Sequence, residues 1–126
     1  MKKVVRNMLI IIIVLIISSA IYITWDNQRI KVVEQTVEIN ELSSELEGFS
    51  ILQITDLHEK TFGSNQEKLI ESINGLDYDA IVFTGDMLNG SDSKNFEPFY
   101  TLIEGIENKD FAFYVPGNAD PEKLLY

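Results

Sequence analysis

A chain of 126 residues has room for one ordinary domain at most. Once Lys2, Lys3 and Arg6 are set aside, seven basic residues remain against twenty acidic ones, with no basic stripe among them. Such a surface repels nucleic-acid phosphates, so we expect no binding to DNA or RNA. The absence of cysteine excludes disulfides, thiolate metal sites and a cysteine nucleophile.

The first element is an uncharged apolar run, Met8–Trp25, without proline or glycine. As a helix, its 18 residues would extend about 27 Å, close to the hydrocarbon thickness of a bilayer. The basic residues before it, and Tyr22 and Trp25 at its far end, favour a single-pass anchor with a cytoplasmic N-terminus. A signal peptide cleaved near Ser18-Ser19-Ala20 and a buried core helix are the alternatives. The anchor interpretation divides the chain into a cytoplasmic segment 1–7, an anchor 8–25, a linker 26–32 and an extracytoplasmic domain 33–126.

The remainder has the pattern of strands alternating with helices. Apolar and polar residues alternate from Val33 to Ile39, which predicts a half-buried strand. Further apolar runs predict strands at 49–55, 80–84 and 111–115.

Two helices are expected between the last three strands. The first begins at a capping box formed by Ser64 and Glu67, and Gly75 stops it. The second has apolar residues at helical spacing, namely Phe96, Phe99, Tyr100, Ile103 and Ile106. Pro121 and Glu122 suit the first turn of a third helix. This alternation predicts βαβ units, a parallel sheet and therefore the α/β fold class.

Candidate metal ligands follow three of these strands: Asp56-Leu57-His58, Gly85-Asp86 and Gly117-Asn118. Asp56 and Asp86 are 30 residues apart, and Asp86 and Asn118 are 32 apart, so each interval fits one βα unit. Because the carboxyl ends of parallel strands share one edge, where open α/β sheets place their ligands, we expect these side chains to meet. Taken singly, each motif also suits a helix cap, a loop histidine or a turn. Together, carboxylate, imidazole and amide oxygen predict a site for Mn, Fe, Zn or Mg.

These motifs resemble those of the calcineurin-like metallophosphoesterases, specifically the small membrane-anchored bacterial members. The family pattern runs Asp-x-His, Gly-Asp, Gly-Asn-His-Asp/Glu, a lone His and then Gly-His-x-His, and residues 35–126 match its first three blocks. The resemblance implies that Asp56 and His58 hold one divalent ion, that Asp86 bridges, and that Asn118 holds a second. It also implies a two-sheet β-sandwich flanked by helices, of which this chain forms the first βαβαβ half.

Two departures from the family pattern bear on activity. Ala119 stands where the family has a histidine, so the catalytic group is unknown, and the later histidines are missing. The resemblance implies a metal-dependent phosphoesterase acting on phosphodiesters of lipids, envelope components or nucleotides. We expect this chain to be its inactive N-terminal portion. A non-catalytic, degenerate anchored domain and an unrelated α/β binding module are the alternatives.

Overall fold

A computed structural model of the chain describes residues 2–121. These residues divide into two compact units, one ending at Glu34 and the other beginning at Gln35, and each is described by itself. The helix expected to start at Pro121 and Glu122 extends into residues 122–126, outside the described residues.

The first unit contains one long helix, α1 (Lys2–Asn27). It is long and apolar enough to cross a membrane, a property that it shares with signal sequences. None of its apolar window is buried, so the interpretation as a buried core helix is wrong. Its length of 26 residues, about 39 Å, exceeds the predicted 18 because the basic N-terminal residues and the start of the linker continue the same helix.

The second unit is built on a parallel sheet of three strands, β1 (Ile51–Ile54), β2 (Ala80–Thr84) and β3 (Ala112–Val115), in the order β1-β2-β3. Ile51 pairs with Ala80, and Ile81 pairs with Ala112. Helix α2 (Glu67–Asn74) connects β1 to β2, and helix α3 (Glu97–Gly105) connects β2 to β3. Short 3-10 segments lie at Ser44–Leu46 and Ser64–Gln66. The predicted α/β class and βαβαβ order are therefore confirmed.

One face of the sheet forms the core with the two helices. Ile81 and Phe83 of the central strand are buried there, together with Phe99 and Leu102 of α3. The rings of Phe83 and Phe99 meet edge to face, with centroids 5.4 Å apart. Because side chains alternate along a strand, the residues between these core positions lie on the opposite face.

That opposite face is largely uncovered among the described residues. Ile51, Phe113 and Val115 lie on it, and each exposes more than half of its surface. These three positions share a face because Ile51 pairs with Ala80, Phe113 with Val82 and Val115 with Thr84. An apolar sheet face of this kind is what one layer of a sandwich presents to the other.

Two local predictions are wrong. Residues 33–39, all within the described part of the chain, form no strand, and Val33 is 84% exposed. The alternation of apolar and polar residues gives the segment one apolar face. A strand also requires a hydrogen-bonded neighbouring strand, which this segment lacks. The predicted capping box is also absent, because α2 follows Gln66 in a left-handed conformation and no side-chain bond caps it. The predicted stop at Gly75 is confirmed, since Gly75 caps α2.

Gln66 explains why the chain enters α2 differently. Its side chain is fully buried, and its Oε1 accepts a hydrogen bond from the Phe62 N–H at 3.0 Å. Its Nε2 donates to the carbonyl oxygens of Lys60 at 2.7 Å and Pro98 at 3.2 Å. A buried amide that satisfies these bonds outweighs the modest stabilisation of a side-chain cap.

Candidate metal centre

Asp56, His58 and Asp86 converge where the carboxyl ends of β1 and β2 meet. Each offers one ligand atom, and these atoms all lie within 4.8 Å of one another. His58 Nε2 is 3.6 Å from Asp56 Oδ1. Asp56 and His58 are exposed and Asp86 is partly buried, so the cluster is open to solvent. Two carboxylates and an imidazole at this spacing are a suitable donor set for a divalent transition-metal ion or Mg²⁺.

The backbone around these ligands is unusual. Asp56, His58, Glu59 and Asp86 have φ values of 54°, 47°, 57° and 53°, in the left-handed region that residues with a Cβ seldom occupy. Such residues concentrate at functional sites, where the surrounding structure offsets the strain. Here the offset comes from backbone hydrogen bonds between the loops that follow β1 and β2.

Three of these bonds continue the strand pairing past the ends of the strands. Asp56 N–H donates to Gly85 O at 3.1 Å, and His58 N–H donates to Asp86 O at 3.0 Å. Glu59 N–H donates to Met87 O at 2.9 Å. The two loops are thus held together residue by residue, which brings Asp56 and His58 beside Asp86.

The imidazole of His58 is oriented by a carbonyl group. Its Nδ1 lies 3.2 Å from Leu88 O, and because a carbonyl oxygen only accepts, a hydrogen bond at this contact requires the proton on Nδ1. Nε2 then carries the free lone pair, on the side of Asp56. A hydrogen bond at the far ring nitrogen is the usual way in which proteins fix the tautomer of a metal-binding histidine.

The loop after β3 packs directly against Asp86. A Cβ added at Gly117 would lie 2.5 Å from Asp86 N and would overlap Asp86 Oδ1, so only glycine fits there. Ala119 N–H donates to Asp86 Oδ1 at 2.9 Å. Asn118 lies between these two residues and is exposed. The chain therefore brings Asn118 to the site edge, and its role as a ligand stays a prediction.

Asp120 holds the loop after β3 against the loop after β2. It is buried, and its carboxylate accepts hydrogen bonds from Gly117 N–H at 3.0 Å and Leu88 N–H at 2.9 Å. Burial by itself opposes ionisation, but the backbone donors of Gly117 and Leu88 outweigh it and lower the pKa of Asp120. The charged form thus joins the loops after β2 and β3.

Glu59 has a role near the site that the sequence analysis missed. Its carboxylate accepts hydrogen bonds from the side chains of Asn89, Ser93 and Asn95 and from Asn89 N–H. These bonds, first from the Ser93 hydroxyl and then from Asn89 N–H, lower the pKa of Glu59. No periodicity connects Glu59 to donors 30 to 36 residues later, so the only available signal was its place next to His58.

Known proteins supply an independent comparison. The family model described as calcineurin-like phosphoesterase matches residues 49–126, which is more than half of the chain. No curated protein and no solved structure matches the chain. The family match spans all three strands and all four predicted ligand positions, and it excludes the alternative of an unrelated α/β binding module. The chain belongs to the calcineurin-like phosphoesterase family.

Proposed function

We propose that Asp56, His58, Asp86 and Asn118 form part of a dinuclear metal site for the hydrolysis of phosphodiesters. The family consists of metal-dependent phosphoester hydrolases, and the observation that carries the proposal is the convergence of Asp56, His58 and Asp86 within 4.8 Å. The family match concerns phosphoesters in general, and the proposal goes further by naming phosphodiesters as the substrates.

The donor set of these residues fits two divalent ions. Asp56 and His58 would hold the first ion, Asp86 would bridge, and Asn118 would hold the second. Asp86 Oδ1 accepts a hydrogen bond from the Ala119 N–H at 2.9 Å, and a carboxylate with one such bond keeps lone pairs on both oxygens for metal ions. When bound, the ions would neutralise phosphoryl charge during in-line attack by water.

Ala119 shapes the expected chemistry of the leaving group. The family's histidine at this position would donate a proton or a hydrogen bond, whereas the Ala119 side chain has no polar atom. Its backbone N–H is already bonded to Asp86 and holds that carboxylate in place. We therefore infer that hydrolysis depends strongly on the leaving group, with aryl phosphodiesters preferred to alkyl ones.

Membrane attachment defines the proposed substrate class. Helix α1 would anchor the chain with its N-terminus in the cytoplasm and residues 26–126 outside, since basic residues precede the apolar run. A domain held there reaches phosphodiesters of lipids and envelope components, and extracytoplasmic nucleotides as well.

The number of ligands limits what this chain does alone. The four side chains supply two or three ligands per ion when the bridge is counted twice, and hard divalent ions of this kind take about six. We therefore infer that the 126-residue chain holds at most one weakly bound ion and has no turnover. The competing function, a non-catalytic anchored domain, is favoured by Ala119 alone.

The coding sequence that follows Tyr126, in all three frames, distinguishes these functions. A Gly-His-x-His block there supports the phosphoesterase function. The longer protein that includes this block should then hydrolyse an aryl phosphodiester with Mn²⁺, and Asp86→Asn should abolish this activity. Continuation without such a block, or turnover that survives Asp86→Asn, contradicts the proposed function.

A further inference from the structure

Glu59 forms a dense polar contact with the loop after β2. Its Oε1 accepts hydrogen bonds from Asn89 N–H at 3.0 Å and from the Ser93 hydroxyl. Its Oε2 accepts from the amide groups of Asn89 at 3.0 Å and Asn95 at 3.3 Å. All of the donors lie within 89–95, while Glu59 directly follows the candidate ligand His58.

One of these bonds controls the peptide group that orients His58. Asn89 N–H belongs to the same peptide unit as Leu88 C=O, and Leu88 O is the atom 3.2 Å from His58 Nδ1. A trans peptide is planar, with its N–H and C=O pointing in opposite directions. By holding the N–H, Glu59 therefore aims the carbonyl at the imidazole.

The opposite side of Leu88 is held independently. Its own N–H belongs to the preceding peptide unit and donates to Asp120 Oδ1 at 2.9 Å. That bond fixes the peptide unit before Leu88 but makes no contact with the following unit, Leu88–Asn89. Among the described contacts, the bond to Glu59 is the one that holds the N–H of this unit.

We propose that Glu59 is a positioning residue, which fixes the Nδ1–H tautomer of His58 through the Leu88–Asn89 peptide. A rotated peptide would turn its N–H toward Nδ1, which would then accept and leave the proton on Nε2. Nε2 is the ring nitrogen that lies 3.6 Å from Asp56 Oδ1, on the side of the proposed metal site. The consequence for metal binding rests on the proposed function, whereas the tautomer itself does not.

The single histidine of the chain makes the tautomer directly measurable. The full chain, labelled with ¹⁵N in the imidazole and held metal-free in nanodiscs, is studied by two-dimensional ¹H–¹⁵N NMR at about pH 8.5, well above the reference pKa of a model imidazole. The wild type should show a proton on Nδ1 and none on Nε2. Glu59→Ala should move the population toward Nε2–H.

A matched control separates this effect from general loosening of the loop. Asn95→Ala removes one donor to Glu59 but leaves the bond from Asn89 N–H, so its tautomer should equal that of the wild type. If Glu59→Ala fails to fold, Glu59→Asp replaces it, because the shorter side chain withdraws the carboxylate from Asn89 N–H. A folded Glu59 variant that keeps the wild-type tautomer overturns the proposal.

Metal affinity gives a second, separable readout. Loss of a group that orients a metal-binding histidine typically costs about 10- to 100-fold in affinity, and Mn²⁺ titration of Glu59→Ala should show a decrease of this size. A changed tautomer with unchanged Mn²⁺ affinity supports the positioning of the ring and contradicts the metal role of His58. An unchanged tautomer with weakened Mn²⁺ binding contradicts the proposal that Glu59 positions the ring, and it does not contradict the assignment of the metal site.

Discussion

Substitution of Gly85 tests the close contact between the ends of β2 and β3, and Gly48 provides a control within the same chain. Its φ is +86°, and a Cβ there would lie 2.8 Å from Gly117 Cα and 3.0 Å from Gly117 N. Gly48 has a similar φ of +80°, but a Cβ there meets nothing within 4 Å. The pair therefore separates backbone strain from contact.

The two substitutions to alanine should differ by the contribution of the clash. A left-handed backbone costs a residue with a Cβ about 1–2 kcal/mol, so Gly48→Ala should lower the free energy of unfolding by that amount. Overpacking adds about 1–3 kcal/mol, so Gly85→Ala should lower it by about 2–5 kcal/mol. The clash at Gly85 is with backbone atoms, which cannot rotate away as a side chain can.

Urea unfolding of the full chain in detergent micelles measures both changes, with the near-ultraviolet circular dichroism of the tyrosines as the signal. Tyr78 is part of the buried core and reports on loss of its packing. Gly85→Ala should also weaken Mn²⁺ binding, because separating the loops moves Asp86 away from its support on Gly117 and Ala119. Equal destabilisation by the two substitutions would refute the close contact between the ends of β2 and β3.

Three further predictions concern charge, chemistry and topology. Asp79 accepts hydrogen bonds from the backbone N–H of Ser50 and then from its hydroxyl, and these bonds lower the pKa of Asp79. The stabilisation that ionised Asp79 provides is therefore complete above about pH 4, and it is lost as the pH falls through the reduced pKa of the folded state. The difference in urea midpoint between wild type and Asp79→Asn should therefore shrink from pH 5 to about pH 2–3, and a constant difference would contradict the Ser50 contact. In a longer protein that continues past Tyr126 and has turnover, Ala119→His should reduce the ratio of the hydrolysis rates of aryl and alkyl phosphodiesters. Positioned acids contribute about 10²–10⁴-fold, and the reduction should be part of that factor. An unchanged ratio would mean that another group already donates a proton to the leaving group. Protease added to intact spheroplasts should remove residues 26–126, whereas digestion only after lysis would show the opposite orientation.

The parts of the fold that depend on local sequence were predictable. Residues 80–84 form β2 with the predicted bounds, because an uninterrupted apolar run between polar loops has few other ways to be buried. The convergence of Asp56 with Asp86 followed from topology alone, since parallel strands end at one edge.

Features that depend on distant partners were not predictable. Residues 33–39 have a strand pattern without a strand, because pairing is decided by a neighbour and not by the alternation itself. Gln66 reads as a surface residue in the sequence, and its burial depends on Pro98, 32 residues away. The same is true of Glu59, whose bond to Asn89 spans 30 residues.

The most direct test of the metal site is Mn²⁺ titration of the full chain, followed by the paramagnetic broadening of the ring signals of its single histidine. Wild type should lose the His58 signals at low Mn²⁺, with one weakly bound ion per chain. Asp110→Asn, which removes an exposed charge outside the cluster, should bind as the wild type does. Asp86→Asn should weaken binding by at least about tenfold, since even groups that only support metal ligands contribute that much. Equal affinity in Asp86→Asn, or Mn²⁺ binding that leaves the His58 signals sharp, would contradict the assignment of Asp56, His58 and Asp86 as a metal site.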